Sequence, residues 1–219
     1  MRRYFIQQQH NKSKRNYIER VNNSKLECIK IAKKYDFEYW DGDRKYGYGG
    51  YKYIKDYWKS FAKKLIKTYK LNNKSKLIDL GCGKGYLLFE IKKLLPGIEI
   101  LGLDNSVYAI KNSKEEIKKF LIKKNLKNKL PYKKNYFDLA ISLATFHNFN
   151  LEKLEISINE MGRISKKQYL MVESFSNDKQ RFNLQCWALT AETLISIKDW
   201  SWLFKKLKFK GDYEFIFFN

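Results

Sequence analysis

Apolar positions along this chain switch between strand and helix periods, and the switches outline its elements. Buried runs of strand length occur at 77–80, 98–104, 136–143 and 169–174. Between them the spacing turns helical. Leu87, Leu88, Ile91, Leu94 and Leu95 predict a helix behind the first run, and Trp58, Phe61, Ala62, Leu65 and Ile66 predict one over 57–69. Asn72-Asn73-Lys74 forms the turn between that helix and the first strand. After Asp104, either Asn105 or Ser106 caps a helix predicted to reach about Lys119, and Phe120-Leu121-Ile122 is the short apolar run left for the next strand. Leu154, Ile156, Ile158 and Met161 give a helix to Ile164. Residues 175–198 read as a helical insertion, Asp199 as the negative cap of a last helix, and 211–218 as a final strand.

The first 56 residues follow other patterns. Ile18, Val21, Leu26, Ile29, Ile31 and Ala32 suggest an imperfect amphipathic helix from about Asn16 to Tyr35. It is either a cover for a site or a solvated extension. From Tyr46 to Tyr53, four tyrosines alternate with three glycines, too many glycines for a stable helix or a strong strand. Rigid amphipathic rings on a conformable backbone suit a binding surface; the alternative is a surface loop packed through its aromatic bodies.

Chemistry concentrates at Leu77-Ile78-Asp79-Leu80-Gly81-Cys82-Gly83-Lys84-Gly85-Tyr86. Strand, glycine turn and helix start make the context of a nucleotide-binding loop, because glycine lets the backbone approach a ligand and helix-start N–H groups point at it. The dinucleotide fingerprint G-x-G-x-x-G seats a pyrophosphate. Here the spacing is G-x-G-x-G, with Asp79 two residues ahead. That form resembles motif I of the class I S-adenosylmethionine-dependent methyltransferases. A second match is the strand ending at Asp104, 19 residues after Gly85, where an acid accepts hydrogen bonds from ribose hydroxyls. A third is Phe137-Asp138, a buried strand, then Thr145-Phe146-His147-Asn148, which looks like motif IV.

The resemblance covers about residues 57–218. It implies an α/β fold with a doubly wound, mostly parallel, Rossmann-like sheet, preceded by a helical and loop extension (1–56) that carries a lid. It implies S-adenosyl-L-methionine as cofactor, held by Asp79, Gly81, Cys82, Gly83, Gly85, Asp104 and Asn105, with Asp79 taking the ammonium of the amino-acid tail. No acid lies between Glu116 and Asp138, so Asn125 and Asn128 are the nearest amides for the adenine. His147, past a strand's carboxyl end, is either a general base or a structural histidine. Glu173 and Ser174 also end a strand on that side. The Tyr/Gly segment resembles one in a bacterial methyltransferase subgroup acting on small polar or glycan-precursor acceptors, which implies a substrate lid of Arg44, Tyr46, Tyr48 and Tyr51. Members follow it with an Arg-Trp pair, whereas Asp56-Tyr57-Trp58 stands here. Arg181 would suit an anionic acceptor, or is an ordinary surface arginine.

The net charge of +22 invites a nucleic-acid reading. Yet only seven of the 45 basic residues are Arg, and the lysines are spread over the whole chain. Nucleic-acid readers lean on Arg for bidentate contacts. A small-molecule acceptor is therefore expected ahead of RNA, and a partner subunit that has kept the fold without activity is the third possibility. Three dispersed cysteines make no disulfide framework, and His10 and His147 without a Cys pair make no zinc pattern. No apolar run approaches a membrane span, and the N-terminus lacks a signal-peptide core, so the expected compartment is the cytoplasm.

Overall fold

The computed structural model describes residues 1–6 and 15–219; His10 lies outside them. Six strands form one sheet: β1 (Lys76–Leu80), β2 (Glu99–Asp104), β3 (Leu121–Lys123), β4 (Phe137–Leu143), β5 (Ser165–Glu173) and β6 (Asp212–Ile216). Their order is β3-β2-β1-β4-β5-β6, and every pairing is parallel. The helices, in chain order, are α1 (Tyr17–Asn22), α2 (Lys25–Ala32), α3 (Phe37–Trp40), α4 (Lys59–Tyr69), α5 (Tyr86–Leu94), α6 (Val107–Lys111), α7 (Glu115–Lys118), α8 (Leu151–Ile164), α9 (Asp178–Trp187) and α10 (Ile197–Lys206).

Side-chain alternation along the strands explains the layers. Leu77, Leu139, Ile141 and Met171 pack with Phe61 and Leu65 of α4 and Leu88 and Ile91 of α5. Their neighbours Ile78, Ala140, Leu170 and Val172 join a second cluster with Leu154, Ile158 and Met161 of α8 and Trp200 and Phe204 of α10. A parallel sheet covered on both faces needs apolar residues at successive strand positions, which is why these strands read as continuous runs.

Three sequence expectations change. The single helix over 16–35 is two, because Ser24 takes a left-handed conformation (φ 48°) between α1 and α2. The helix to Lys119 is likewise divided into α6 and α7, with Ser106 capping α6 by accepting the Ala109 N–H. The last helix is capped by Ser196, while Asp199 closes the capping box from its third position. Among the described residues no seventh strand follows β6. Its outer edge is met by the N-terminus instead: the Arg3 N–H donates to the Tyr213 carbonyl at 2.7 Å, and the Tyr213 N–H to that of Met1 at 3.0 Å. Buried Glu214 fixes the same segment, accepting the N–H groups of Phe5 (2.7 Å) and Ile6 (2.9 Å) and the Tyr169 hydroxyl (2.6 Å).

Candidate functional site

Strand order reverses between β1 and β4, so connections leave to opposite sides and open a crevice at the carboxyl ends of these strands. The glycine turn after β1 forms one wall. Gly81 (φ 90°) lies against Thr145 after β4, too close for any side chain. Two adjoining cavities occupy the crevice, of about 430 Å³ and about 270 Å³, and both are bordered by Gly81, Tyr39, Trp40 and Tyr48.

The smaller cavity is lined by Asp104, Asn105, Asn125 and Leu126. Asp104 accepts the N–H groups of Gly83 (2.7 Å) and Ser106 (2.8 Å), which holds its carboxylate at the end of β2. The larger cavity is lined by Asp79, Gly81, Cys82 and Gly83. Asp79 is buried, and its Oδ1 has no hydrogen-bond partner. Burial first, and the nearby Asp104 second, push its carboxyl up to about 8. A buried carboxylate oxygen left unpaired beside a cavity calls for a donor or a cation from a ligand.

Of the predicted cofactor residues, Gly85 stays out of both cavities, as does Asn128, which the sequence offered with Asn125 for the adenine. Gly85 starts α5 in a left-handed conformation (φ 68°), and an added Cβ would lie 2.7 Å from Ile117 Cδ1, so it serves close packing of α5 on the core. The lid residues separate. Arg44, Tyr48 and Tyr51 line the larger cavity. Tyr46 instead packs with α2 around Cys28, Ala32 and Leu189 and borders neither cavity. Arg181 is exposed on α9, against the Phe175 ring, and also lies outside both.

His147 is placed as the structural alternative would have it, away from both cavities. The 3₁₀ turn Phe146–Asn148 roots Phe146 in the core and carries His147 inward with it. Its ring is 2% exposed, lines neither cavity, and is pushed down to about 3 by burial. Nδ1 accepts the Glu173 N–H at 3.3 Å, and Nε2 lies 3.4 Å from Glu173 Oε2. With Nδ1 accepting, the imidazole proton sits on Nε2 and points at that carboxylate. Glu173 does reach the larger cavity, and burial raises its carboxyl to about 7 against the lowering influence of Arg15.

Residues that sequence reasoning passed over complete the site. Trp40 covers the glycine turn: an added Cβ at Gly83 (φ 55°) would stand 2.7 Å from its Cη2. Its indole N–H donates to Ser106 Oγ at 2.9 Å, and its ring stacks on Tyr48 (5.3 Å, 11°). Lys84, the non-glycine residue between Gly83 and Gly85, is 3% exposed and grips the cover, donating to both Asp41 oxygens (2.8 and 2.6 Å) and to the Tyr51 carbonyl (2.9 Å). Its place inside the glycine turn was the available signal. Arg15 and Arg20 also line the larger cavity. Among the described residues no cluster of His, Cys, Asp and Glu has the makings of a metal site, and no helix is long and apolar enough to cross a membrane.

Comparison with known proteins gives the fold a context. A family model described as a methyltransferase domain matches residues 71–209. Over 116 residues the chain is 31% identical to a carboxy-S-adenosyl-L-methionine synthase of Nautilia profundicola, covering 52% of this chain and 45% of that protein, so it spans less than half of that relative. Among solved structures, the YcgJ protein of Bacillus subtilis is similar with a TM-score of 0.54 at 16% identity, covering 67% of this chain and 66% of that one. A protein of Bacillus halodurans described as a methyltransferase is similar with a TM-score of 0.52 at 16% identity, covering 68% of each chain. At such identities the likeness of these two is one of fold.

Proposed function

We propose, from the premise that this chain belongs to the S-adenosylmethionine-dependent methyltransferase family, that it methylates an oxygen or nitrogen of a small polar acceptor, a metabolite or glycan precursor. Asp79 carries the reading. Its unpaired, buried Oδ1 fits the ammonium of the cofactor's amino-acid tail, and such a cation would hold the carboxylate ionised where burial alone favours the acid. Asp104 and Asn105 fit the ribose, with Asn125 and Leu126 beside the adenine. Gly81 and Gly83 leave the backbone bare for close approach, and Cys82 lies between them at the cavity wall.

Bound there, S-adenosylmethionine would supply an electrophilic methyl on a sulfonium, and its in-line transfer depends chiefly on proximity and alignment. The chain's own part is to enclose and orient. Residues 1–56 are then an N-terminal extension that carries the cover and 57–219 the cofactor domain; Trp40, Tyr48 and Tyr51 exclude water above the turn. Glu173 takes the place as base that the sequence suggested for His147: its carboxylate accepts the proton of an acceptor hydroxyl or ammonium, at a pKa near working pH. His147 orients that carboxylate from behind through Nε2–H. The enclosure supports a small acceptor over RNA, and the intact turn with both acids supports an enzyme over an inactive partner.

Calorimetric titration with S-adenosylmethionine and S-adenosylhomocysteine tests the reading. Micromolar binding to the wild-type chain, abolished by Asp79→Ala and by Asp104→Ala, is expected. Near-normal binding in both variants would overturn the site.

A further inference from the structure

The two cavities of the crevice share a border. Both are lined by the rings of Tyr39, Trp40 and Tyr48, by the small or apolar Gly81, Leu143 and Ala144, and by Thr190. Among the described residues, none that lines both cavities is charged. The carboxylates stand to either side, Asp104 in the smaller cavity and Asp79 and Glu173 in the larger. Arg15, Arg20 and Arg44, whose guanidinium carbons lie 5.5, 4.6 and 4.9 Å from the Trp187 ring centroid, line the larger cavity only.

The rings at this junction form a corner. Trp40 and Tyr48 are stacked (5.3 Å, 11°), and Tyr39 stands nearly perpendicular to each, at 5.2 Å and 86° from Trp40 and at 5.4 Å and 77° from Tyr48. Hydrogen bonds fix the corner without help from a ligand. The Tyr48 N–H donates to the Tyr39 carbonyl at 2.9 Å, and the Trp40 indole N–H to Ser106 Oγ at 2.9 Å and to the Tyr35 carbonyl at 3.1 Å. Gly47 lies so close to the Tyr39 main chain that it admits no side chain. Tyr48 is 40% exposed, at the mouth, yet its hydroxyl is pushed up to about 12, by burial first and by Glu173 second, with Asp104 adding to the rise. The ring therefore stands in the field of carboxylates from both cavities. Neutral aromatic rings carry a negative face, which attracts a cation without offering it a hydrogen bond.

We propose that Tyr39, Trp40 and Tyr48 form a cage for the sulfonium of S-adenosylmethionine, by which the cover tells the charged cofactor from its neutral product. This rests on the methyltransferase reading of the same cavities, which puts the amino-acid tail at Asp79 and the ribose at Asp104. The sulfur joins tail to ribose, so it falls at the junction. A sulfonium has no N–H or O–H to donate, and aromatic faces are the side-chain groups suited to such a cation. Methyl transfer leaves the S–CH3 bonding pair on sulfur, while the methyl bonds to the acceptor oxygen or nitrogen and the acceptor's proton passes to Glu173. The sulfur is then neutral, and the rings of the N-terminal extension lose the charge they attract. The hold of the cover is in this way coupled to the state of the cofactor.

The test is paired calorimetric titration of the full chain with S-adenosylmethionine and with S-adenosylhomocysteine, two ligands that differ only in the methyl and the charge on sulfur. Tyr48→Leu is expected to weaken S-adenosylmethionine by about fivefold or more, the worth of one cation–π contact, and S-adenosylhomocysteine by less than about twofold. Tyr48→Phe keeps the aromatic face and should bind both ligands as the wild type does. Tyr48 stands at the exposed mouth, so both variants should keep their fold, checked by circular dichroism. A second measurement needs no variant. With each ligand at saturation, limited proteolysis between residues 38 and 58 should be slower with S-adenosylmethionine than with S-adenosylhomocysteine. The cage is overturned if Tyr48→Leu weakens both ligands equally or neither, if Tyr48→Phe costs as much as Tyr48→Leu, or if the two ligands protect the cover to the same degree. Failure of both ligands to bind the wild type would overturn the methyltransferase reading, and the cage with it; binding of both without these differences would overturn the cage alone.

Discussion

Asp79 and Glu173 each hold a proton more tightly in the folded chain than a carboxyl does in an unfolded one, and this fixes the sign of a pH effect. Where the native state binds more protons than the unfolded state, stability falls as pH rises. For Asp79 that window runs from about 4 to about 8, and for Glu173 from about 4.5 to about 7. His147 acts oppositely, because its lowered pKa makes stability rise with pH between about 3 and 6.5. Between pH 6.5 and 8 the two carboxyls are therefore left unopposed by it. The melting temperature of the unliganded protein should fall over that interval, Asp79→Asn should flatten the fall, and S-adenosylmethionine should reduce it; a rising wild-type curve in differential scanning fluorimetry would contradict the assignment. With an acceptor in hand, Glu173→Gln should lower kcat by about a hundredfold or more and erase the limb of the rate profile near pH 7, with KM little changed. The position of Asp79 and Asp104 at the crevice was legible because their distance from the glycine turn is local geometry. That His147 is buried away from the cavities while Glu173 reaches the larger one was not. Glu173 ends β5 and His147 follows β4 in the 3₁₀ turn on the same side, and the packing of Phe146 and Phe149 into the core carries His147 inward.

At the scale of elements, the segment from α3 through Tyr53 is a cover latched onto the glycine turn. Lys84 bonds to Asp41, Tyr108 donates to the same carboxylate at 2.8 Å, and Tyr86 bonds to the Tyr51 carbonyl and stacks on its ring (5.3 Å, 19°). Lys84 is buried while Asp41 keeps 21% of its side chain in solvent, so the pair is only partly desolvated. Lys84→Met should cost about 2 kcal/mol, less than a fully buried pair, because it strands Asp41 without its cation. Limited proteolysis should then cut between residues 38 and 58 faster than in the wild type; an unchanged cleavage rate would mean that the tyrosine stacking alone holds the cover. Glycine density announced that this segment is irregular, since few other residues tolerate its turns. The break between α1 and α2 left no such mark. A serine in a left-handed conformation, and helices too short to persist alone, depend on packing around Cys28, Ala32 and Leu189.

For the molecule as a whole, the +22 charge lies mostly on lysines distributed along the sequence. Binding to RNA should accordingly be weak and sequence-blind, and should drop by about a hundredfold or more between 50 and 200 mM salt. Nanomolar, sequence-dependent binding at the higher salt, measured by fluorescence anisotropy, would instead favour RNA as the acceptor. The order of elements, the apolar strands and the glycine turn were all readable along the chain, because each follows from spacing over a few residues: alternation buries both sheet faces, and a turn at a strand's end places Asp79 and Asp104 at the crevice. The N-terminus along β6, Trp40 over Gly83 and the gathering of Arg15, Arg20 and Arg44 on Trp187 were beyond that reading. Each joins segments from tens to hundreds of residues apart, and such meetings are selected by the packing of the whole chain, where buried area and charge are shared among elements that carry no local trace of one another.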